Sequence, residues 1–101
     1  MRRKTIVRPE AANDAIEACR WYDERVAGLG KRFLDELDAA MTSIGEAPTR
    51  YPIYRDEIHR ARVGRFPFAI FFVVAETRIV VLAVLNLYRN PRLLRRALKR
   101  R

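Results

Sequence analysis

The spacing of hydrophobic residues in this 101-residue chain changes near its middle from a helical to an extended pattern. Before residue 48, apolar side chains such as Phe33, Leu37 and Ile44 recur at the period of one helix face. After residue 52, β-branched and aromatic residues follow one another in short runs, which is typical of strands. Helical spacing followed by strand spacing predicts an α+β fold, in which helices pack on a small sheet.

Two helices are expected in the first half, after one short strand. The strand is predicted at residues 4–8 and ends before Pro9. The fixed φ of Pro9 and its missing N–H suit the first turn of a helix. We place the helices at residues 10–26 and 31–44, with Gly28, Leu29 and Gly30 breaking the helical period between them. Two helices joined by such a glycine turn form a helical hairpin.

Three further strands and a basic tail are expected in the second half. The strands are predicted at residues 58–63, 66–75 and 78–87, and the last two form a hairpin at the centre of the sheet. Residues 92–101 are the tail, in which Leu93, Leu94 and Leu98 have helical spacing. The predicted order is β-α-α-β-β-β in one domain over residues 1–101. The N-terminal strand and the helical hairpin pack on a small, mainly antiparallel sheet.

Charge is distributed unevenly along the chain. The formal net charge is +9, yet residues 1–46 carry a net charge of −1 and residues 47–101 carry +10. This asymmetry favours a scaffold in the first half and an anion-facing surface in the second. The alternative left open is a basic face that is only solvated.

Several classes of protein are disfavoured by what the sequence lacks. A single cysteine, Cys19, forms no intrachain disulfide and fits a reducing, cytoplasmic location. The longest apolar run, residues 66–75, contains a proline and is too short to cross a membrane. One cysteine and one histidine, His59, do not make the usual metal sites. We therefore expect no metal, no cofactor and no membrane partner, with Cys19 in the core and His59 at the surface or a sheet edge.

Arginines of the second half form the candidate binding site. A small sheet is expected to bring five of them onto one concave face, where guanidinium groups bind phosphate: Arg60, Arg62, Arg65, Arg89 and Arg92. Asn86 and Tyr88 are predicted on one side of the last strand by their two-residue spacing. Tyr88 beside arginines can stack on a base or, made more acidic by their charge, transfer a proton. The alternative is that Tyr88 packs against the tail and the arginines are solvated.

Five motifs in order resemble the ParE/RelE toxin superfamily, and more closely its ParE branch. They are Trp21-Tyr22-Asp23 with Gly28-Leu29-Gly30-Lys31-Arg32-Phe33, the loop with Pro48 and Tyr51-Pro52, Ile58-His59-Arg60, Arg65-Phe66-Pro67-Phe68, and Asn86-Leu87-Tyr88-Arg89-Asn90-Pro91. The resemblance spans nearly the whole chain. It implies the toxin of a type II toxin–antitoxin system, which an antitoxin neutralises by direct binding.

The two branches of this superfamily imply different targets. RelE-like members cut ribosome-bound mRNA, whereas ParE-like members inhibit DNA gyrase by binding it. Arg60, Arg65 and Arg89 match the arginine positions of the family, but Asn86 stands where a histidine is common. An amide does not shuttle protons at neutral pH, and an ordinary phenol such as Tyr88 is a poor base.

Three functions follow from the resemblance. The first is a toxin that inhibits gyrase or another topoisomerase by binding. The second is a ribosome-dependent mRNA endonuclease, with Arg60, Arg65, Tyr88 and Arg89 as the candidate catalytic residues. The third is a basic domain that is no longer toxic and only binds. In each case the predicted partner is an acidic antitoxin tail, docked as an amphipathic helix or an added strand over Trp21, Tyr22 and the basic second-half face.

Overall fold

The computed structural model describes residues 3–100, which form five strands, three α-helices and one short 3-10 turn. In chain order the elements are β1 (Lys4–Val7), α1 (Pro9–Arg25), α2 (Leu29–Glu46), the 3-10 turn (Pro48–Arg50), β2 (Ile53–Arg55), β3 (Ile58–Arg62), β4 (Phe68–Val74), β5 (Arg78–Asn86) and α3 (Pro91–Arg100). The predicted α+β order is confirmed. The basic tail forms α3, and its last residue, Arg101, lies outside the described residues.

The five strands form one mixed sheet in the order β1-β5-β4-β3-β2. β1 runs parallel to β5, and the other neighbours are antiparallel. The sheet is therefore mainly antiparallel, and the β4–β5 hairpin occupies its middle, as predicted. None of the helices within residues 3–100 has the length and apolar character needed to span a membrane.

A bulge in the β4–β5 hairpin decides which residues of β5 face each side of the sheet. Phe71 pairs with Ala83, whereas Phe72 pairs with Val81, so the register shifts at Leu82. Leu82 and Ala83 consequently pack on the α3 side, and Val84 packs toward the helical hairpin. The Val84 N–H donates a hydrogen bond of 3.0 Å to Oδ2 of Asp14 on α1.

The helical hairpin of α1 and α2 covers one side of the sheet and builds the larger core. Its helices bury Tyr22, Phe33, Leu37 and Ile44 against strand residues such as Phe72. Tyr22 and Phe33 join Phe66 and Phe68 in an aromatic cluster, with ring centroids between 5.0 and 6.0 Å apart. Edge-to-face packing of this kind adds to the stabilisation from burial.

α3 alone covers the other side of the sheet. Leu94 and Leu98 are buried against Ala69, Phe71, Leu82, Ala83 and Leu85. The helix begins at a cap, because Oδ1 of Asn90 accepts a hydrogen bond of 2.8 Å from the Arg92 N–H. Pro91 follows at the first helical position, where its missing N–H is not needed.

The predicted break between the first two helices was placed too late in the chain. Residues 26–28 connect α1 to α2, and Gly28 has a φ of 87° that favours glycine. Leu29 and Gly30 belong to α2, and the Gly30 N–H donates a hydrogen bond of 2.8 Å to Oδ1 of Asp23. A Cβ at Gly30 would stand 2.5 Å from the Cys19 carbonyl oxygen, so this glycine lets α2 approach α1.

β2 was not predicted, and the next strands are shorter than expected. β2 has three residues, too few for a sequence period, and Asp56 follows it with a φ of 53° in the turn to β3. β4 begins at Phe68 instead of Phe66, because the Phe66 N–H is bonded to the Val63 carbonyl in a turn. β5 ends at Asn86, one residue early.

Candidate functional site

A groove of about 580 Å³ lies between α1 and the ends of β4 and β5; we call it the α1 groove. It is lined by Asp14, Glu17, Ala18, Trp21, Tyr22, Pro67, Phe68, Val84, Leu85, Asn86 and Arg89. Aromatic and aliphatic groups form most of its surface, while two carboxylates, an amide and a guanidinium supply polar contacts. Such a lining suits a ligand with an apolar face.

Trp21 is the exposed aromatic of the α1 groove, with 49% of its surface accessible. The Arg25 guanidinium carbon lies 3.5 Å from the centroid of its ring, and Arg25 Nη1 donates a hydrogen bond of 3.0 Å to the Trp21 carbonyl. The Trp21 ring also meets Tyr22 edge to face at 5.1 Å. A large ring held on two sides is suited to anchor a partner at low entropic cost.

Tyr22, the second predicted antitoxin contact, is a core residue. Only 8% of its surface is accessible, and its ring packs against Phe33, Phe66 and Phe68. Burial raises the pKa of its phenol above the usual 10.0. A partner can cover little of Tyr22 that the fold has not already covered, so Trp21 is the member of the pair that offers a surface.

The two-residue spacing of Asn86 and Tyr88 predicted that they share one side of the last strand. The structure does not show this. β5 ends at Asn86 and the chain then turns toward α3. Oδ1 of Asn86 accepts a hydrogen bond of 2.8 Å from the Tyr88 N–H, and the Asn86 carbonyl accepts one of 3.3 Å from the Arg89 N–H. The amide therefore holds the turn, while the Tyr88 side chain is 81% exposed.

The predicted arginines are divided between the two sides of the sheet. Arg89 lines the α1 groove, and Arg65 lines a second groove with Arg32, Asp35 and Glu36 of α2. Arg60 and Arg62 pair with Phe71 and Ala69, so they lie on the α3 side. Arg92 is exposed on α3 itself. The single concave arginine face is not formed, because Arg60 and Arg62 face α3 from within β3, whereas Arg65 and Arg89 lie on the helical hairpin side.

His59 is a packing residue inside the sheet. It lies on β3 between β2 and β4, half-buried, with its ring stacked on Phe72 at 5.3 Å between centroids. Its Nδ1 lies 2.8 Å from the Tyr51 carbonyl oxygen, which ties the loop before β2 to the sheet. This position differs from the surface or sheet-edge location predicted. Within residues 3–100 no group of three or more histidine, cysteine or acidic side chains is arranged to hold a metal.

Three cations that the sequence argument did not single out lie beside the predicted ones. Arg95, Arg96 and Lys99 are exposed on α3, on the same side of the sheet as Arg60 and Arg62. Arg95 and Lys99 line a groove of about 400 Å³ with Arg55 of β2. The signal that could have found them is the helical spacing of Leu94 and Leu98, which turns the remaining residues of the tail outward.

A helical hairpin packed on a small, mainly antiparallel sheet and followed by a basic C-terminal segment is the architecture expected for the ParE/RelE class of small toxins. A family model described as "ParE toxin of type II toxin-antitoxin system, parDE" matches residues 6–96. The chain belongs to this ParE toxin family.

A solved structure supports the same fold. It is a chain of the "Chromosomal ParDE TA system from P. aeruginosa", which superposes with a TM-score of 0.75 at 14% sequence identity. The match covers 83% of this chain and 95% of that chain. No curated protein matches the sequence.

Proposed function

We propose that this chain is a growth-inhibiting toxin that acts in the cytoplasm by binding DNA gyrase or a related topoisomerase, and that a cognate antitoxin neutralises it by direct binding. Family membership supports the type II toxin. The observation that favours binding over RNA cleavage is the dispersal of the candidate catalytic residues. Arg60 lies on one side of the sheet and Arg65 and Arg89 on the other.

RNA cleavage requires a proton acceptor beside groups that hold the phosphate. The position where relatives of this superfamily commonly carry a histidine is occupied by Asn86, whose Oδ1 is engaged by the Tyr88 N–H at 2.8 Å. Tyr88 is 81% exposed to solvent. These placements do not assemble an acid–base site, whereas they leave open surfaces for protein binding.

The antitoxin site is assigned to the α1 groove and the free edge of β1. The groove offers an apolar floor and the Trp21 ring to one face of an amphipathic helix. Within residues 3–100, β1 pairs only with β5, so its outer edge is open for an added strand. Arg3 and Lys4 stand at the start of β1, and their charge favours an acidic segment.

The test of the target is to induce the chain without its antitoxin in a bacterial host and to pulse-label DNA and protein synthesis over the first minutes. We expect DNA synthesis to fall first while translation continues. If translation falls first, gyrase binding is wrong and the endonuclease function takes its place. Unaffected growth would leave only the non-toxic binding domain.

The antitoxin site is tested by titrating the purified chain with its antitoxin and following the fluorescence of Trp21, the only tryptophan. Covering the ring should shift its emission to the blue. Measured by isothermal titration calorimetry, which does not need the fluorophore, Trp21→Ala should weaken binding by at least about tenfold, as removal of a buried aromatic anchor does. Ile53→Ala is the matched control, because Ile53 is 58% exposed on the opposite edge strand. Equal affinities of the two variants would show that the antitoxin does not bind over Trp21.

A further inference from the structure

We propose that the α3 side of the molecule binds the phosphate backbone of duplex DNA without base preference. The surface consists of eight exposed cations, which we call the cationic face: Arg55, Arg60, Arg62, Arg92, Arg95, Arg96, Lys99 and Arg100. This inference does not depend on gyrase inhibition. DNA binding is a property of the isolated chain, so the two proposals can fail separately.

Charge on α3 has one sign and is not neutralised internally. Half of its ten residues are cations and none is acidic. Within residues 3–100 none of these cations forms an ion pair, and the Arg55–Asp56 pair of the neighbouring hairpin is long, at 3.8 Å. Uncompensated like charges on one short helix repel each other, and a polyanion relieves that repulsion.

Packing of α3 points its cations outward. Leu94 and Leu98 are anchored in the core with 4% and 6% of their surfaces accessible. At 100° per residue, Arg92, Arg96 and Arg100 then project from the opposite side of the helix. The cations are therefore carried by a helix whose position on the sheet is fixed by two buried leucines.

The strands extend this surface beyond α3. Arg60 and Arg62 emerge on the same side of the sheet, with the Arg60 guanidinium carbon 5.2 Å from the centroid of the Tyr54 ring. Arg55, Arg95 and Lys99, together with the single carboxylate of Asp56, line the groove of about 400 Å³ where α3 meets the β2–β3 hairpin. The cationic face thus continues from the helix onto two strands.

The side chains favour duplex phosphate over single-stranded RNA or an acidic peptide. Seven of the eight cations are arginines, whose planar forks bind phosphate bidentately. Single-stranded nucleic acid is bound by exposed aromatic platforms, but Tyr54, the ring beside Arg60, is half-buried and packed on Phe71 at 5.3 Å. A peptide needs apolar anchors, and the exposed apolar side chain that α3 offers is Leu93.

The size of the surface sets the expected number of contacts. A ten-residue helix is about 15 Å long, and duplex DNA carries one charge per about 1.7 Å of its axis. About half of the roughly nine phosphates along that length face the helix, so about four are neutralised and the logarithm of the affinity should fall against the logarithm of salt concentration with a slope of about −3.6. Between 50 and 200 mM KCl this is a loss of about 150-fold.

The experiment is fluorescence anisotropy of a labelled 20-base-pair duplex titrated with the full chain at several KCl concentrations. Arg92→Gln/Arg96→Gln should reduce the slope by about two and weaken binding about a hundredfold at 50 mM. Arg20→Gln/Lys31→Gln removes the same charge from the helical hairpin side and should retain the slope. Circular dichroism checks that all variants remain folded, and two duplexes of unrelated sequence should bind equally.

Four results would overturn the proposal. They are no binding at 50 mM KCl, equal losses in the two double variants, tighter binding of a single-stranded RNA of equal length, and equal competition by a polyglutamate of equal charge. The last two would assign the face to RNA or to an acidic protein. A chain that binds duplex DNA as expected, yet leaves DNA synthesis running on induction, would keep this inference and reject the proposed target.

Discussion

The two sides of the sheet differ in thickness, core composition and charge. The helical hairpin side is covered by α1 and α2, which carry nine carboxylates and four cations, and its core contains an aromatic cluster. The other side is covered by α3, which carries five cations and no acid over a core of mostly aliphatic residues around Phe71. The charge asymmetry between the two halves of the sequence thus becomes an asymmetry between two layers.

This difference indicates a division of labour. The thick layer buries several large aromatic rings and supplies most of the cohesion of the fold. The thin layer is held by two leucines and exposes its charges on a helix that adds little to the core. We infer that substitutions on the hairpin side change global stability, whereas those on the α3 side change local order and anion binding.

The largest expected effect is that of Phe33→Ala compared with Leu94→Ala. Phe33 is fully buried among three other aromatic rings, so its truncation should lower the free energy of unfolding by about 3–5 kcal/mol. Leu94→Ala should cost less, because α3 can undock while the rest of the fold persists. Urea denaturation of both variants measures this. Equal losses would contradict the division between the layers.

Gly30→Ala should be the next largest effect, compared with Gly45→Ala on the same helix. A Cβ at Gly30 meets the Cys19 carbonyl oxygen and the Asp23 carboxylate, so α1 and α2 must separate at a cost of roughly 1–3 kcal/mol. Gly45 has open space around it, and alanine there should stabilise the helix by about 0.5–1 kcal/mol. The midpoint temperatures of thermal unfolding of the two variants should shift in opposite directions. A shift of both in one direction would show that Gly30 is not needed for the close approach of α2 to α1.

Asn90→Ala tests the thin layer alone. Loss of the hydrogen bond from the Arg92 N–H should destabilise α3 by about 1 kcal/mol. Hydrogen exchange should accelerate in the amides of α3 while those of β4 and β5 stay protected. The exposed Asn13 on α1 is the control, since its replacement by alanine removes no cap. Faster exchange throughout the sheet would show that α3 and the main core unfold together.

Tyr22→Phe is the smallest effect and is confined to alkaline pH. Burial raises the pKa of Tyr22 in the fold, so the folded state keeps a proton that the unfolded state releases near pH 10. The contribution of the buried Tyr22 phenol to the free energy of unfolding is complete below pH 10. It is lost as the pH rises toward the raised pKa that Tyr22 has in the folded state. Tyr22→Phe should flatten this loss. Parallel curves for wild type and Tyr22→Phe would contradict the burial of the phenol.

The order of elements could be predicted from the sequence because local periods report it. Phe33, Leu37 and Ile44 recur at the helical period, and the β-branched run of residues 79–85 marks a buried strand. Boundaries that depend on contacts could not be predicted in this way. Gly30 looked like a helix breaker until its close approach to Cys19 showed why a glycine stands inside α2. β2 is too short to show any period.

The candidate site was less accessible to sequence reasoning than the fold. Spacing placed Asn86 and Tyr88 on one face, but the strand ends at Asn86 and its side chain is used in the turn. Arg60 and Arg89 were predicted to converge, yet they lie on opposite sides of the sheet. Periodicity fixes neighbours within an element, whereas convergence of residues from different elements depends on where each element ends.

The sequence by itself determined the α+β class, the helical hairpin, the central strand pair and the charge difference between the two halves. These properties follow from local periodicity and composition, which act within one element at a time. Only the tertiary structure decided which side of the sheet each half covers. The bulge at Leu82 and the docking of Leu94 and Leu98 fix that choice through contacts between residues distant in sequence. The basic tail became a separate cationic layer because burial of two leucines leaves the rest of its helix facing solvent.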